Sequence, residues 1–152
     1  MWEEVLGRAR AGIARGRNPK LLQTEIEYEI RVHVGGKAVE VPIVFTPDAI
    51  SFEKKVGPVV EEYKATWISE KNSITSGRFW HWHVQVKAYC KVVGTQRARI
   101  YVLFVDGDYH PKRRVPRAWE VEYSRMEVEE NWGMVTRKLE TLIEKGEWKW
   151  TR

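Results

Sequence analysis

The chain has 152 residues, 43% of them hydrophobic and 31% charged, with a formal net charge of +5. That is the length of one domain, here taken as 1–152, and the composition of a globular protein rather than of a disordered or collagen-like one. A single cysteine, Cys90, excludes an internal disulfide and a cysteine-based zinc cluster, and no apolar run approaches the roughly 18 residues of a membrane span.

The opening MWEEVLGRAR lacks the apolar stretch of a signal peptide, which points to a cytoplasmic protein with no membrane partner. Residues 3–15 read as a short helix, with Val5, Leu6, Ala9 and Ile13 near helical spacing and Gly16 to Pro19 closing it. Thr24 to Val34 alternates strictly, with Ile26, Tyr28, Ile30, Val32 and Val34 on one face, as in a half-buried strand. Gly35-Gly36 marks a two-residue hairpin, whose register sets Val32 against Val39, Ile30 against Val41, Tyr28 against Ile43 and Ile26 against Phe45. Thr46-Pro47-Asp48 is a turn or helix-entry signal, and Gly57-Pro58 is a second interruption. Val56, Val59, Val60, Tyr63 and Trp67 then form one helical stripe, predicting a helix that lies on the sheet.

EKNSITSG, residues 70–77, reads as a loop. Arg78 to Val93 is the longest strand candidate, with Trp80, Trp82, Val84, Val86, Ala88, Cys90 and Val92 on one face and Phe79, His81, His83, Gln85, Lys87, Tyr89 and Lys91 on the other. A turn at Gly94 to Gln96 leads into a second strand, Arg97 to Val105. This hairpin would set Lys91 opposite Arg99, Tyr89 opposite Tyr101 and Lys87 opposite Leu103. Like charges across a ladder destabilise it, so the register calls for an acidic partner in the chain or on a ligand. DGDYHPKRRVPR, residues 106–117, is a basic loop, and Trp119, Val121 and Tyr123 alternate as a short fifth strand. Ser124 and Glu127 form a capping box that opens the last helix, over 124–146, and Gly146 ends it. The expected fold class is therefore α+β: an antiparallel sheet of four to five strands, helices packed on one face, and a long C-terminal helix.

Charge and rings carry the functional expectation. Residues 78–117 hold nine Lys or Arg against Asp106 and Asp108, residues 8–20 hold five basic residues and no acid, and the chain has eight tryptophans. Cations track phosphates and aromatic faces stack on unpaired bases, so Arg78, Phe79, His83, Lys87, Tyr89, Lys91, Arg97, Arg99 and Tyr101, with Arg113, Arg114 and Arg117 from the loop, read as a surface for single-stranded DNA or RNA. The alternative use of these cations is to pair with Glu25, Glu27 and Glu29 on the same sheet face. Trp80 and Trp82 serve either as core or as a stacking platform. His81 and His83 form an H-x-H pair, and Asp106 and Asp108 with Glu120 or Glu122 form a candidate magnesium cluster, which keeps a metal-dependent nuclease open as the alternative. A protein–protein interaction module is the third reading. The backed expectation is binding without catalysis and without a cofactor.

Small antiparallel strands and helices, a basic aromatic-lined surface and a terminal helix with a heptad seam together resemble the ThermoDBP-type single-stranded DNA-binding proteins of hyperthermophilic archaea. The likeness spans roughly residues 24–145, and the Glu, Lys and Arg content also suits a thermophile. It implies sequence-independent binding in a positively rimmed cleft, with Trp80, Trp82, Phe79 and Tyr89 stacking and Lys87, Lys91, Arg97 and Arg99 on phosphates. It also implies self-association through the last helix. Val128, Trp132, Val135, Leu139 and Leu142 form that seam, predicting a homodimer or higher even-numbered oligomer.

Overall fold

In the computed structural model residues 2–16, 19–105 and 114–148 are described. The elements in chain order are α1 (Trp2–Ala14), β1 (Lys20–Leu22), β2 (Ile26–Val34), β3 (Lys37–Phe45), β4 (Ala49–Glu53), β5 (Gly57–Thr66), a 3-10 turn (Gly77–Phe79), α2 (Trp80–Val93), β6 (Arg97–Val105), β7 (Arg114–Glu122) and α3 (Arg125–Glu144). The fold is α+β, with strands ordered β1-β4-β5-β6-β7 in one sheet and the β2–β3 pair forming a second. The larger sheet is mixed rather than antiparallel throughout, because β5 and β6 run parallel.

The β2–β3 hairpin forms as its alternation dictates. Gly35 and Gly36 take φ of 57° and 76° at the turn, a backbone that disfavours any side chain. The pairing runs from Val34 with Lys37 to Ile26 with Phe45 and includes Arg31 with Glu40, whose side chains are 2.9 Å apart. One apolar face results, and a lone hairpin needs that face covered. α3 covers it. Its N-terminus carries the Ser124–Glu127 capping box, and Gly146 turns the chain just past its end with φ of 68°. Leu139 joins Ile30, Val32 and Val41 in one buried cluster, and Trp132 meets Tyr28 edge-on at a centroid distance of 5.4 Å. The seam predicted to join two chains is thus largely occupied within one. Val128 and Leu139 are buried, Trp132 is packed, and Val135 and Leu142 line a groove.

Residues 56–93 invert the sequence expectation. The stripe read as a helix is β5, the central strand of the five, and the segment read as the longest strand is α2. Side chains from β1 and β6 close over Glu61 on the outer face, so Val59, Val60, Glu61 and Glu62 are buried in succession, and alternation sets in only from the exposed Tyr63 onward. The parallel pairing of β5 with β6 decides the other half. Parallel neighbours need a crossover connection, and α2 supplies it. Alternating apolar residues at every second position include every fourth, so a helix buries Trp82, Val86 and Cys90 on one side and carries Trp80 away from them. Gly94, at φ of 79°, ends α2, with its amide and that of Thr95 donating to the Cys90 carbonyl. The expected hairpin pairing Lys91 with Arg99 therefore does not form. β1 and β4 had no counterpart in the sequence expectation, and β7 begins at Arg114, earlier than Trp119.

The main core lies where α2 packs on the sheet. Ile50, Val60, Ala98, Ile100, Val102 and Phe104 meet Phe79, Trp82, Val86 and Cys90 there, and Ala9 of α1 joins the same cluster. Cys90 packs within this core, and burial pushes its thiol up to about 12.

Candidate active site

Side chains alternate across a strand, so residues Val60, Glu62 and Lys64 of β5 share the face that carries Ala98, Ile100 and Val102 of β6. Two charged residues therefore enter an otherwise apolar face. Glu62 is 2% exposed. Lys64 Nζ donates to Glu62 Oε1 at 2.5 Å and to Gln85 Oε1 of α2 at 2.8 Å. Gln85 Nε2 in turn donates to the Tyr89 hydroxyl oxygen at 2.8 Å, one helical turn on, and the Tyr89 ring rests edge-on against Phe45.

Asp48 enters from the segment between β3 and β4. Its Oδ2 accepts from the Tyr63 amide at 2.8 Å, and its carbonyl accepts from the Gln23 amide at 3.0 Å. Asp48 is thereby tied to the residue lying between Glu62 and Lys64. Burial pushes the Glu62 carboxyl above its ordinary range, Lys64 pulls it back, and Asp48 acts both ways, its charge adding to the rise and its backbone amide opposing it. Glu62 Oε2 is buried without a hydrogen-bond partner. A buried carboxylate oxygen with no donor costs free energy, which a cation would recover.

The donor set suits a hard divalent cation. Asp48 and Glu62 offer oxygen ligands, the kind Mg²⁺ and Mn²⁺ prefer. Among the described residues no group of three or more His, Cys, Asp or Glu is arranged to hold a metal. Mg²⁺ is commonly held by one or two carboxylates and completes its shell with water and substrate phosphate.

The outer face of the same strand is satisfied. Glu61, also 2% exposed, pairs with Lys20 and Arg99, and the Tyr63 hydroxyl donates to Glu61 Oε2 at 2.8 Å while accepting from Lys20 Nζ at 2.7 Å. Burial works to raise the Glu61 carboxyl, but the bonds from Lys20 and Tyr63 outweigh it and hold it below its ordinary range. The Lys20 ammonium is raised by the same Glu61 bond. Tyr63 and Tyr101 stack at 4.9 Å beside this cluster.

The residues expected to bind nucleic acid do not form one surface. Phe79, at 0% exposure, stacks on Trp82 in the core, whereas Trp80 is 62% exposed. His83 is structural: Nδ1 lies 2.6 Å from the Tyr123 hydroxyl and Nε2 lies 2.8 Å from the Ile74 carbonyl. His81 is exposed, and on a helix its i+2 neighbour points elsewhere, so the H-x-H pair shares no face. Lys87 lies over the Tyr123 ring and 3.8 Å from Glu127, and Lys91 bonds Glu129. Arg97 pairs with Glu122, Arg99 with Glu53, Glu61 and Glu120, and Arg117 with Glu70. The acids that neutralise these cations come from α3, from the five-stranded sheet and, at Glu70, from the segment before α2, not from Glu25, Glu27 and Glu29. Glu120 and Glu122 are thus engaged with arginines. Arg78 and Arg114 are exposed. Arg113, Asp106 and Asp108 lie outside the described residues. Of the predicted residues that are described, Tyr89 alone reaches the carboxylate site.

Asp48, Glu62, Lys64 and Gln85 were not singled out as a site by the sequence. The signal that finds them is a Glu-x-Lys pair shortly after Val59-Val60, two charges on the inward phase of a strand. A separate, wholly apolar groove of about 540 Å³ opens between the hairpin, α2 and α3, with Phe45, Trp80, Val84, Met134 and Trp148 in its lining.

No family model matches the chain, and no curated protein does. Among solved structures, that of SSO0001 is similar over 90% of this chain at 17% identity and a TM-score of 0.47. The chain spans 59% of that protein's length. A phage-related exonuclease from Haemophilus somnus 129PT is similar over 94% of this chain and 70% of its own, at 13% identity and a TM-score of 0.40. Likeness at this level is silent on activity.

Proposed function

We propose that the chain is a divalent-cation-dependent phosphodiesterase acting on nucleic acid. The observation that carries this is the buried, partnerless Glu62 Oε2 beside Asp48, with the Lys64 ammonium on the other oxygen of the same carboxylate. The reading keeps the nucleic-acid partner expected from charge segregation and replaces non-catalytic binding with chemistry. The acids it uses are not those of the sequence-derived alternative, Asp106 and Asp108. Single strands of DNA or RNA remain the expected substrate, since exposed Trp80 and Trp67 stack best on unpaired bases.

Asp48 and Glu62 would hold the cation, which would supply positive charge for a phosphoryl oxygen and lower the pKa of a bound water. The chain's residues do the rest. Asp48 is fixed by the Tyr63 amide and Glu62 by Lys64, which presents both carboxylates as would-be ligands. Lys64 commits two of its three N–H donors to Glu62 and Gln85, and the third is available to a non-bridging phosphate oxygen as charge builds on it. Gln85, itself held by Tyr89, orients that ammonium. In the hydrolysis a water oxygen forms a new bond to phosphorus, the phosphorus bond to one sugar oxygen breaks, and that oxygen leaves with a proton.

The test is cleavage of labelled single-stranded and duplex DNA and RNA with Mg²⁺ or Mn²⁺. Cleavage is expected with the wild type and absent in Asp48→Asn and Glu62→Gln. If no substrate is cut with either ion while oligonucleotides still bind, the chain is a binding protein and the proposal fails.

A further inference from the structure

We propose that β1 is the clamp that assembles this site, with Tyr63 as its positioning residue; the inference rests on the cation-site reading above. The two carboxylates come from separate parts of the chain. Glu62 belongs to the central strand, whereas Asp48 sits between β3 and β4, in neither strand. The link between them is the Tyr63 amide on Asp48 Oδ2.

β1 holds both ends of that link. Gln23, just past β1, donates its amide to the Asp48 carbonyl and does so at φ of 43°, a left-handed conformation uncommon outside glycine. Lys20, at the start of β1, reaches across β4 to the Tyr63 hydroxyl and to Glu61. The Tyr63 hydroxyl donates its own hydrogen bond to Glu61 Oε2, so hydroxyl, ammonium and carboxylate close a three-membered ring of bonds. Because β5 alternates, fixing Glu61 and Tyr63 on the outer face fixes the directions of Glu62 and Lys64 on the inner one. A first layer of ligands held by a second layer of bonded side chains is what sets metal affinity in general, and losing such support typically costs about 10–100-fold.

Tyr63→Phe separates this role from simple packing, since it keeps the ring stacked on Tyr101 and deletes only the hydroxyl. Lys20→Met removes a second member of the ring, and Tyr101→Phe, which leaves the Tyr63 bonds intact, is the control. Mn²⁺ affinity is read by titration calorimetry, with melting temperature and cleavage alongside. Tyr63→Phe and Lys20→Met are each expected to weaken Mn²⁺ binding about 10-fold, and the double variant no further. The KM for oligonucleotide stays within about twofold, and the Tyr101→Phe control binds like wild type.

Wild-type Mn²⁺ affinity in Tyr63→Phe overturns the clamp while leaving the proposed function standing. Weakened affinity that tracks a fall in melting temperature, and returns on cooling, also overturns it, because the hydroxyl would then act through global stability. A wild type that binds no Mn²⁺ removes the proposed function and the clamp together.

Discussion

Glu61 and Glu62 are neighbours in one strand and equally buried, yet the face each occupies gives them opposite surroundings. Glu61 points outward and meets Lys20, Arg99 and the Tyr63 hydroxyl, enough donors to hold it ionised. Glu62 points inward and meets one ammonium on one oxygen, while burial drives its carboxyl upward and the second oxygen has no partner. Folding alone is served by the first arrangement. The second leaves a buried acceptor unsatisfied, which the proposed cation would complete.

The largest effect that tests this contrast is catalytic. Glu62→Gln should reduce cleavage to background, and Lys64→Met should reduce kcat about 10²–10³-fold, the usual cost of losing one donor to developing charge. Glu61→Ala, which opens the ring with Lys20 and Tyr63, should need about 10-fold more Mn²⁺ but cleave close to wild type once the ion is saturating and the protein is folded. If Glu61→Ala and Glu62→Gln lose activity alike under conditions where both are folded and the ion is saturating, the two faces are not functionally distinct.

Stability should separate them in the opposite sense. Glu61→Ala strands Lys20 and part of Arg99, and with Lys20 partly exposed the cost is about 1–3 kcal/mol, or roughly 3–10 °C in melting temperature. Next in size is the response to Mg²⁺. At about ten times its Kd the ion should stabilise wild type by about 1.4 kcal/mol, roughly 3–5 °C, and leave Glu62→Gln unmoved. An equal rise in both proteins would place the ion elsewhere.

The smallest expected effect is in pH dependence without metal. Glu62 titrates above the ordinary 4.5, so its contribution to stability is complete below about pH 4.5 and is lost as pH rises through its folded value. Glu61 titrates below 4.5, so its contribution is present above that pH and is lost as pH falls through its folded value. Glu62→Gln should therefore melt above wild type at about pH 7, with the gap closing towards pH 4.5, while the Glu61→Ala deficit narrows only below pH 4.5. Gaps that do not change between about pH 3 and pH 7 would refute the split.

How much of this was legible in the chain depends on where each segment finds its partners. The β2–β3 register was readable pair by pair, because one face is apolar, the other is polar, and two adjacent glycines fix the turn. The capping box of α3 was readable for the same local reason. The seam of α3 was visible too, but not its partner, since the same stripe serves a second chain or its own hairpin. Segments 57–66 and 80–93 were misread because their environments are not local. The first half of β5 is buried on both faces by residues distant in sequence, so its pattern imitates a helical stripe, and the alternation of α2 imitates a strand.

The site was hidden along with the segments that carry it. With β5 taken as a helix, Glu62 and Lys64 pass for a solvated polar face, and Asp48 for turn punctuation. The sequence by itself determined the hairpin, its register, the two terminal helices and the excess of positive charge, all of which rest on contacts between residues near in the chain or on composition. Only the tertiary structure decided which charges are solvated and which are buried. That distinction depends on the parallel β5–β6 pairing and on the crossover helix it requires, contacts of long sequence separation that leave no period in the residues themselves.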